Sequence, residues 1–209
     1  VLDRLTTPEA IKELTPDELE ALAEELRATI IDRVSQTGGH LASNLGVVEL
    51  TIALLTSLDL PRDKVIWDVG HQSYSYKILT GRRAELPKLR KLDGLSGFPK
   101  RSESVYDSFD TGHSSTSISA ALGLSRALRA QGRDEHVVAV IGDGALTGGM
   151  AYEALNNITA EDKVLIILND NQMSIDRNVG GMSRRLEQLR VSSGYLLFKR
   201  RTRRWLERI

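Results

Sequence analysis

Two short apolar runs constrain this chain more than any other feature. His136–Ile141 (HVVAVI) and Lys163–Leu168 (KVLIIL) are continuous, bounded by turn residues, and lack the polar alternation of a half-solvated strand. Each reads as a strand covered on both faces, the pattern of a parallel sheet. Gly142-Asp143-Gly144 ends the first and Asn169-Asp170-Asn171 the second, and Met150–Asn157 between them reads as a helix. Strand, helix and strand in this span make a βαβ unit, because parallel neighbours need a crossover. The fold class this requires is α/β, a parallel sheet with helices on both faces.

The rest of the chain supplies the helices. Thr15-Pro16-Asp17-Glu18 is a capping box with proline at the first helical position. Leu19, Leu22, Leu26, Ile30 and Val34 then recur at three- and four-residue steps, so one apolar face runs to about Gln36, where Gly38-Gly39 stops it. Leu45–Ser57 predicts a buried helix and Lys64–Val69 a strand ending at Gly70-His71. Ser73–Leu79 predicts a short helix closed by Gly81, and Ile118–Ala130 a further helix. Arg82–Asp110, with Gly94, Gly97 and Pro99, reads as a long surface connection. No internal repeat, low-complexity tract or linker divides the chain, so residues 1–209 are expected to form one domain.

Composition excludes several function classes. Charged residues make up 27% and hydrophobic ones 41%, ordinary for a globular domain and wrong for disorder. No apolar run nears the roughly 18 residues of a membrane span, and Val1-Leu2-Asp3-Arg4 reads as no secretory leader. Without cysteine there is no disulfide framework, thiolate metal site or cysteine nucleophile, and a cytoplasmic setting is the expectation. Lys plus Arg and Asp plus Glu both number 28, which argues against a dedicated nucleic-acid binder. The balance is uneven along the chain. Residues 183–209 hold nine basic residues and two acidic ones, with Tyr195, Phe198, Trp205 and Ile209 at roughly helical spacing. This basic tail is expected to be an amphipathic helix with its basic face in water, with no membrane contact and no specific nucleic-acid contact. The alternatives are a nucleic-acid or membrane-surface contact.

In an open parallel sheet, ligands bind outside the carboxyl ends of the strands. Three unusual clusters fall there: Gly70-His71, Gly142-Asp143-Gly144 and Asn169-Asp170-Asn171. Glycines flanking Asp143 let a ligand come close to backbone N–H groups. Asp143 offers an anionic oxygen and Asn171 a neutral one. Oxygen ligands of limited charge suit Mg²⁺, which keeps water or phosphate oxygens as its remaining ligands. The pattern suggests a Mg²⁺–diphosphate site, although Gly-Asp-Gly alone is also what a tight turn looks like. A dinucleotide fingerprint fails because Thr147 stands where its third glycine belongs, and the chain has no Gly-Lys-Ser/Thr of a P-loop.

Gly-Asp-Gly closing one strand and Asn-Asp-Asn closing the next resemble the thiamine diphosphate signature. Gly39–Leu50 (GHLASNLGVVEL) resembles the opening motif of the transketolase branch of those enzymes. Four further segments are similar to one family within that branch, 1-deoxy-D-xylulose-5-phosphate synthase. They are Trp67–Gln72 (WDVGHQ), Lys77–Arg82 (KILTGR), Gly112–Ser117 (GHSSTS) and Asn171–Ile175 (NQMSI). The resemblance runs from the first helix to about Gly181 and fades after Met182.

The resemblance implies a transketolase-like, thiamine diphosphate-binding fold and a transferase with thiamine diphosphate and Mg²⁺ as cofactors. It implies condensation of pyruvate with D-glyceraldehyde 3-phosphate, with loss of CO₂, for isoprenoid, thiamine and pyridoxal precursor synthesis, by a homodimer. Carried over, Asp143 and Asn171 are Mg²⁺ ligands, with the main-chain carbonyl of Met173 as a third. His71 and Gly112-His113-Ser114 contact the cofactor, with Asn171; Gly144 and Ala145 approach its diphosphate. His40 and Ser43 line the substrate side, and His40 and His71 are the catalytic proton carriers. Plainer readings stand beside these. His40, His71 and His113 each follow a glycine and fit turns; Ser114–Ser117 fit a cap for the helix near Ile118, which is compatible with anion binding. His136 lies outside any motif and is expected to be structural.

Members of the family continue for several hundred residues. Their second, pyrimidine-binding domain brings the glutamate that activates the cofactor and most phosphate-binding arginines. This chain is therefore expected to be the diphosphate-binding domain, inactive by itself. The alternatives are the N-terminal subunit of a split transketolase or a non-catalytic fragment.

Overall fold

The computed structural model describes residues 1–5, 7–170, 181, 184–185, 188 and 191–206. The chain divides into two compact units, Val1–Asn171 and Gln172–Ile209.

The first unit opens with two 3₁₀ turns, Leu2–Arg4 and Pro8–Glu13, and then helix α1 (Pro16–Thr37). The expected capping box is present: Thr15 Oγ1 accepts the Glu18 N–H, and Glu18 Oε2 accepts the Thr15 N–H at 3.0 Å. Gly38, at φ 72, ends the helix in a conformation that disfavours other residues. Leu22, Leu26, Ile30 and Val34 are buried, as their spacing predicts. The predicted helix over Leu45–Ser57 is α3 (Val48–Ser57), preceded by a short helix α2 (Leu41–Leu45).

The sheet has three parallel strands, β1 (Lys64–Trp67), β2 (Val137–Gly142) and β3 (Val164–Asn169), in the order β1-β2-β3. Lys64 pairs with Val137 and Val137 with Val164. Val65, Trp67, Val138 and Val140 point into one core cluster with α1 and α3. Ile66, Val137, Ala139 and Ile141 point into the other, against α5 (Ser117–Ala130) and α7 (Gly149–Asn157). Two covered faces are why the run 137–141 has no polar alternation. The parallel α/β architecture is as expected.

Three details differ from the sequence reading. β3 is half-buried rather than buried, with Leu165 56% exposed, because among the described residues only β2 flanks it. β1 stops at Trp67 because Val69 (φ 60) and Gly70 (φ 87) turn the chain off the sheet. The segment Arg82–Asp110 is no mere surface connection. It follows α4 (Tyr74–Lys77) and an irregular turn (Ile78–Arg82), forms a 3₁₀ turn at Arg83–Lys88, and buries Leu86, Leu89, Leu95, Arg82 and Asp107. Beyond β2, α6 (Asp143–Leu146) precedes α7.

In the second unit α8 (Ser193–Leu206) is helical, with Tyr195, Phe198 and Trp205 exposed. Among the described residues no helix is long and apolar enough to cross a membrane.

Candidate functional site

Parallel strands bring their carboxyl ends to one edge, and each strand here is followed at once by an aspartate: Asp68, Asp143 and Asp170. Asp143 is buried in the first turn of α6, with Gly144 and Ala145 next to it and half-buried.

Asp68, also buried, organises the neighbouring loop. Its Oδ1 accepts the Ser115 N–H at 2.7 Å and its Oδ2 the Ser117 N–H at 3.0 Å. The carboxylate thus caps α5 from another part of the chain, where Thr116 makes no side-chain cap. The plainer reading, in which Ser114–Ser117 cap that helix, gives way to a cap by the Asp68 carboxylate. Ser115, at φ 69, turns its hydroxyl to donate to the Ala145 carbonyl at 2.7 Å. A Cβ on Gly148 would lie 2.2 Å from that hydroxyl oxygen, so glycine is required for the approach. One loop therefore joins the end of β1 to the turn after β2. Gly112, His113 and Ser114 are exposed on it, and His113 Nδ1 lies 2.8 Å from the Ser114 carbonyl. A carbonyl only accepts, so Nδ1 carries the hydrogen.

The first two Gly-His pairs come together. The rings of His40 and His71 stand edge to face with centroids 5.2 Å apart. Asn44, fully buried on α2, holds both: its Nδ2 donates to the His40 carbonyl at 2.7 Å and the His71 carbonyl at 2.8 Å, and its Oδ1 accepts the Tyr74 N–H at 2.8 Å. Burial, then the neighbouring His40, holds His71 below the ordinary imidazole range, with Asp68 pulling the other way. Burial and the Arg90 guanidinium do the same to His40. Both rings are neutral near pH 7, so each carries one donor and one acceptor nitrogen. His71 Nδ1 is buried with no hydrogen-bond partner among the described residues. Ser43 lies half-buried on α2, on the turn after His40.

The structure thus brings His40 with His71, and the Gly112–Ser114 loop with Ala145, on the edge that holds Asp143. Asn171 and Met173 lie outside the described residues. His136 lies just before β2, where its main-chain N–H donates to Asp63 Oδ1 at 2.8 Å. Sequence reasoning assigned no role to Asp68, Asn44, Arg90 or Phe98, whose ring lies 6.5 Å from that of His40. For Asp68 a signal was available, since it follows its strand just as Asp143 does. Among the described residues no group of three His, Asp or Glu could hold a metal. A cavity of about 750 Å³ lies away from these residues, lined by Leu5, Thr29, Arg33, Leu79 and Arg83.

Comparison with known proteins gives the family and the fold. The family model for 1-deoxy-D-xylulose-5-phosphate synthase matches residues 2–209. The chain is 60% identical over 196 residues to the 1-deoxy-D-xylulose-5-phosphate synthase of Clostridium beijerinckii, covering 93% of this chain and 32% of that protein. With the enzyme of Clostridium kluyveri it shares 58% over 210 residues, 100% of this chain and 34% of the relative. The likeness therefore continues past Met182, contrary to the expectation from motifs that it fades there. The chain spans about a third of the length of these relatives. Among solved structures, Campylobacter jejuni transketolase aligns with a TM-score of 0.70 at 22% identity, over 83% of this chain and 32% of that one. Leishmania mexicana transketolase gives 0.67 at 20%, over 82% and 31%. These show the fold to be transketolase-like, and the sequence matches show that the chain belongs to the 1-deoxy-D-xylulose-5-phosphate synthase family.

Proposed function

We propose that the chain is the diphosphate-binding part of a thiamine diphosphate-dependent synthase that condenses pyruvate with D-glyceraldehyde 3-phosphate and releases CO₂. The observation that carries this reading is the joining of Asp68, Ser115 and Ala145, which sets a glycine-bearing loop beside Asp143 on the same sheet edge as the paired histidines.

The residues present fit the cofactor. A Cβ on Gly112 or Gly142 would meet nothing within 4 Å among the described residues, leaving room for a ligand at the backbone. The unpartnered His71 Nδ1 is a polar atom waiting for a group to bond. A Mg²⁺ ion would be held by Asp143 together with Asn171 and the Met173 carbonyl, diphosphate oxygens completing the shell. When bound, thiamine diphosphate supplies the carbon that adds to pyruvate and accepts the electron pair left by CO₂. The protein's own part is positioning and proton handling. Gly144, Ala145, Gly112, His113 and Ser114 orient the ligand. Neutral His40 and His71 stand close enough to share a proton through one water or a substrate hydroxyl. Ser43 and His40 face the substrate side.

In this reading the basic tail 183–209 makes only non-specific contacts, so any nucleic-acid affinity ignores sequence and falls steeply with salt. A homodimer and a separate pyrimidine-binding domain rest on the family resemblance, and a cytoplasmic setting on the absence of cysteine. The test is CO₂ release from pyruvate by the full-length protein, with and without glyceraldehyde 3-phosphate, cofactor and Mg²⁺. Release that ignores the cofactor would refute the reading. The 209-residue chain alone should not turn over, because it supplies only the diphosphate half of the site.

A further inference from the structure

We propose that Glu103 and Asp107 are positioning residues for the histidine pair: seated on the buried cations Lys77 and Arg82, they hold Phe98-Pro99 as a wall of the His40–His71 site.

Each carboxylate makes two kinds of contact. One Glu103 oxygen accepts from Lys77 Nζ at 2.5 Å, and the other accepts the Ser96 N–H at 2.7 Å. Asp107 takes the Arg82 guanidinium through both oxygens, at 2.6 and 2.9 Å, and one of them also accepts the Lys100 N–H at 2.8 Å. Ser96 and Lys100 flank Phe98-Pro99 on either side, so this short span is fixed at both ends. Within it, the Phe98 N–H donates to Ser96 Oγ at 3.1 Å.

The span meets the site directly. Phe98 stands beside the His40 ring. Pro99 packs so closely on Gly70 that a Cβ there would lie 2.4 Å from Pro99 Cδ. The Leu95 carbonyl accepts the Arg90 N–H at 2.7 Å and the Arg90 side chain packs on Gly97, so the same segment also holds the guanidinium that lowers the His40 pKa. The cations come from α4 and the turn after it, which follow His71 in the chain. The frame therefore ties the histidine's own element to the wall that faces it.

Charge is an unusual choice here. The Lys77 and Asp107 side chains are 0% exposed, and taking ions out of water is costly enough that packed apolar residues would stabilise as well. Apolar residues cannot accept the Ser96 and Lys100 N–H groups, nor hold a carboxylate in the fixed fork of a guanidinium. Geometry, rather than stability, is what this network adds.

The catalytic consequence rests on the function proposed above, but the placement of the wall does not, and the test separates the two. Site-resolved carbethoxylation, read by peptide mass spectrometry across pH, gives a profile for each histidine in the full-length protein. The charged or titratable groups facing His40 are His71, Tyr74 and Arg90, and none is altered. Glu103→Gln and Asp107→Asn should each move the His40 midpoint upward and raise its plateau rate several-fold, leaving exposed His113 unmoved. Phe98→Ala should give the same change, and adding Glu103→Gln to it should add nothing further. If Glu103→Gln does not fold, Lys77→Met with Glu103→Leu removes both charges and the Ser96 acceptor together and should move His40 alike. An unchanged His40 profile in a folded variant, or additive shifts, would overturn the proposal. Absence of synthase activity in the unaltered protein would instead refute the function and leave these profiles readable.

Discussion

The Asp68 carboxylate accepts the Ser115 N–H at 2.7 Å across 47 residues of sequence, and through Ser115 it reaches the turn after β2. Asp68→Asn leaves one oxygen for two donors and turns an amide N–H toward the other. A buried donor left without an acceptor costs about 1–3 kcal/mol. Urea unfolding should show a lower midpoint with unchanged slope. A midpoint equal to the unaltered protein's would mean that the loop is held by something else.

Gly70 and Gly81 both have positive φ, 87 and 92, but different surroundings. An alanine at either is strained by about 1–2 kcal/mol. At Gly70 its Cβ would also lie 2.2 Å from Thr111 Oγ1 and 2.4 Å from Pro99 Cδ, whereas Gly81 has nothing within 4 Å among the described residues. Gly81→Ala should therefore lose only the strain, and Gly70→Ala markedly more. Equal losses in thermal unfolding would show that Pro99 gives way easily.

His40 and His71 both have pKa values below the ordinary 6.5, chiefly through burial. As pH falls the unfolded chain takes up protons first, so stability is fully present above about 6.5 and declines below it toward the folded values. Carboxylates act further into acid: Glu18, held down to about 2 by the Thr15 N–H and then by Arg4, loses its contribution only below its ordinary 4.5. Unfolding free energy measured against pH should thus begin to fall near neutrality. Replacing both histidines with glutamine should flatten that first decline. Arg90→Ala should raise the His40 pKa, read by NMR titration of the imidazole.

Asp143→Ala should abolish Mg²⁺-dependent binding of thiamine diphosphate, and Asn171→Ala should weaken it less, since only a neutral ligand is lost. Calorimetry with and without Mg²⁺ decides this. Undiminished affinity in Asp143→Ala would remove Asp143 from the metal site.

Much of this was legible in the sequence because local chemistry dictated it. The capping box at Thr15, the two-faced run 137–141 and the strand-ending Gly142-Asp143 each carry their own signal. What sequence did not reveal depends on contacts between distant segments. Asp68 looked like one residue of a motif until its oxygens were seen on the N–H groups of Ser115 and Ser117. The segment 82–110 looked irregular while its polar residues are paired inside: Arg82 with Asp107, and Glu103 with Lys77 of α4. Periodicity does not register an ion pair between a helix and a loop. The exposure of Leu165 was equally hidden, since an apolar run says nothing about which neighbours flank its strand.

An aspartate follows each strand, which gathers acidic residues along one edge of the sheet. Asp143 and Asp170 follow residues that are paired in register, Gly142 and Asn169, so their charges stand on neighbouring strands. Under the proposed function, in which a divalent ion and an anionic ligand meet at this edge, each would strengthen the other's hold, and by linkage the gain would be the same whichever came first. The fraction of molecules in working order then follows the product of two supplies rather than either alone. In a cell, a shortage of free divalent ion would silence such a protein as surely as a shortage of the ligand it carries.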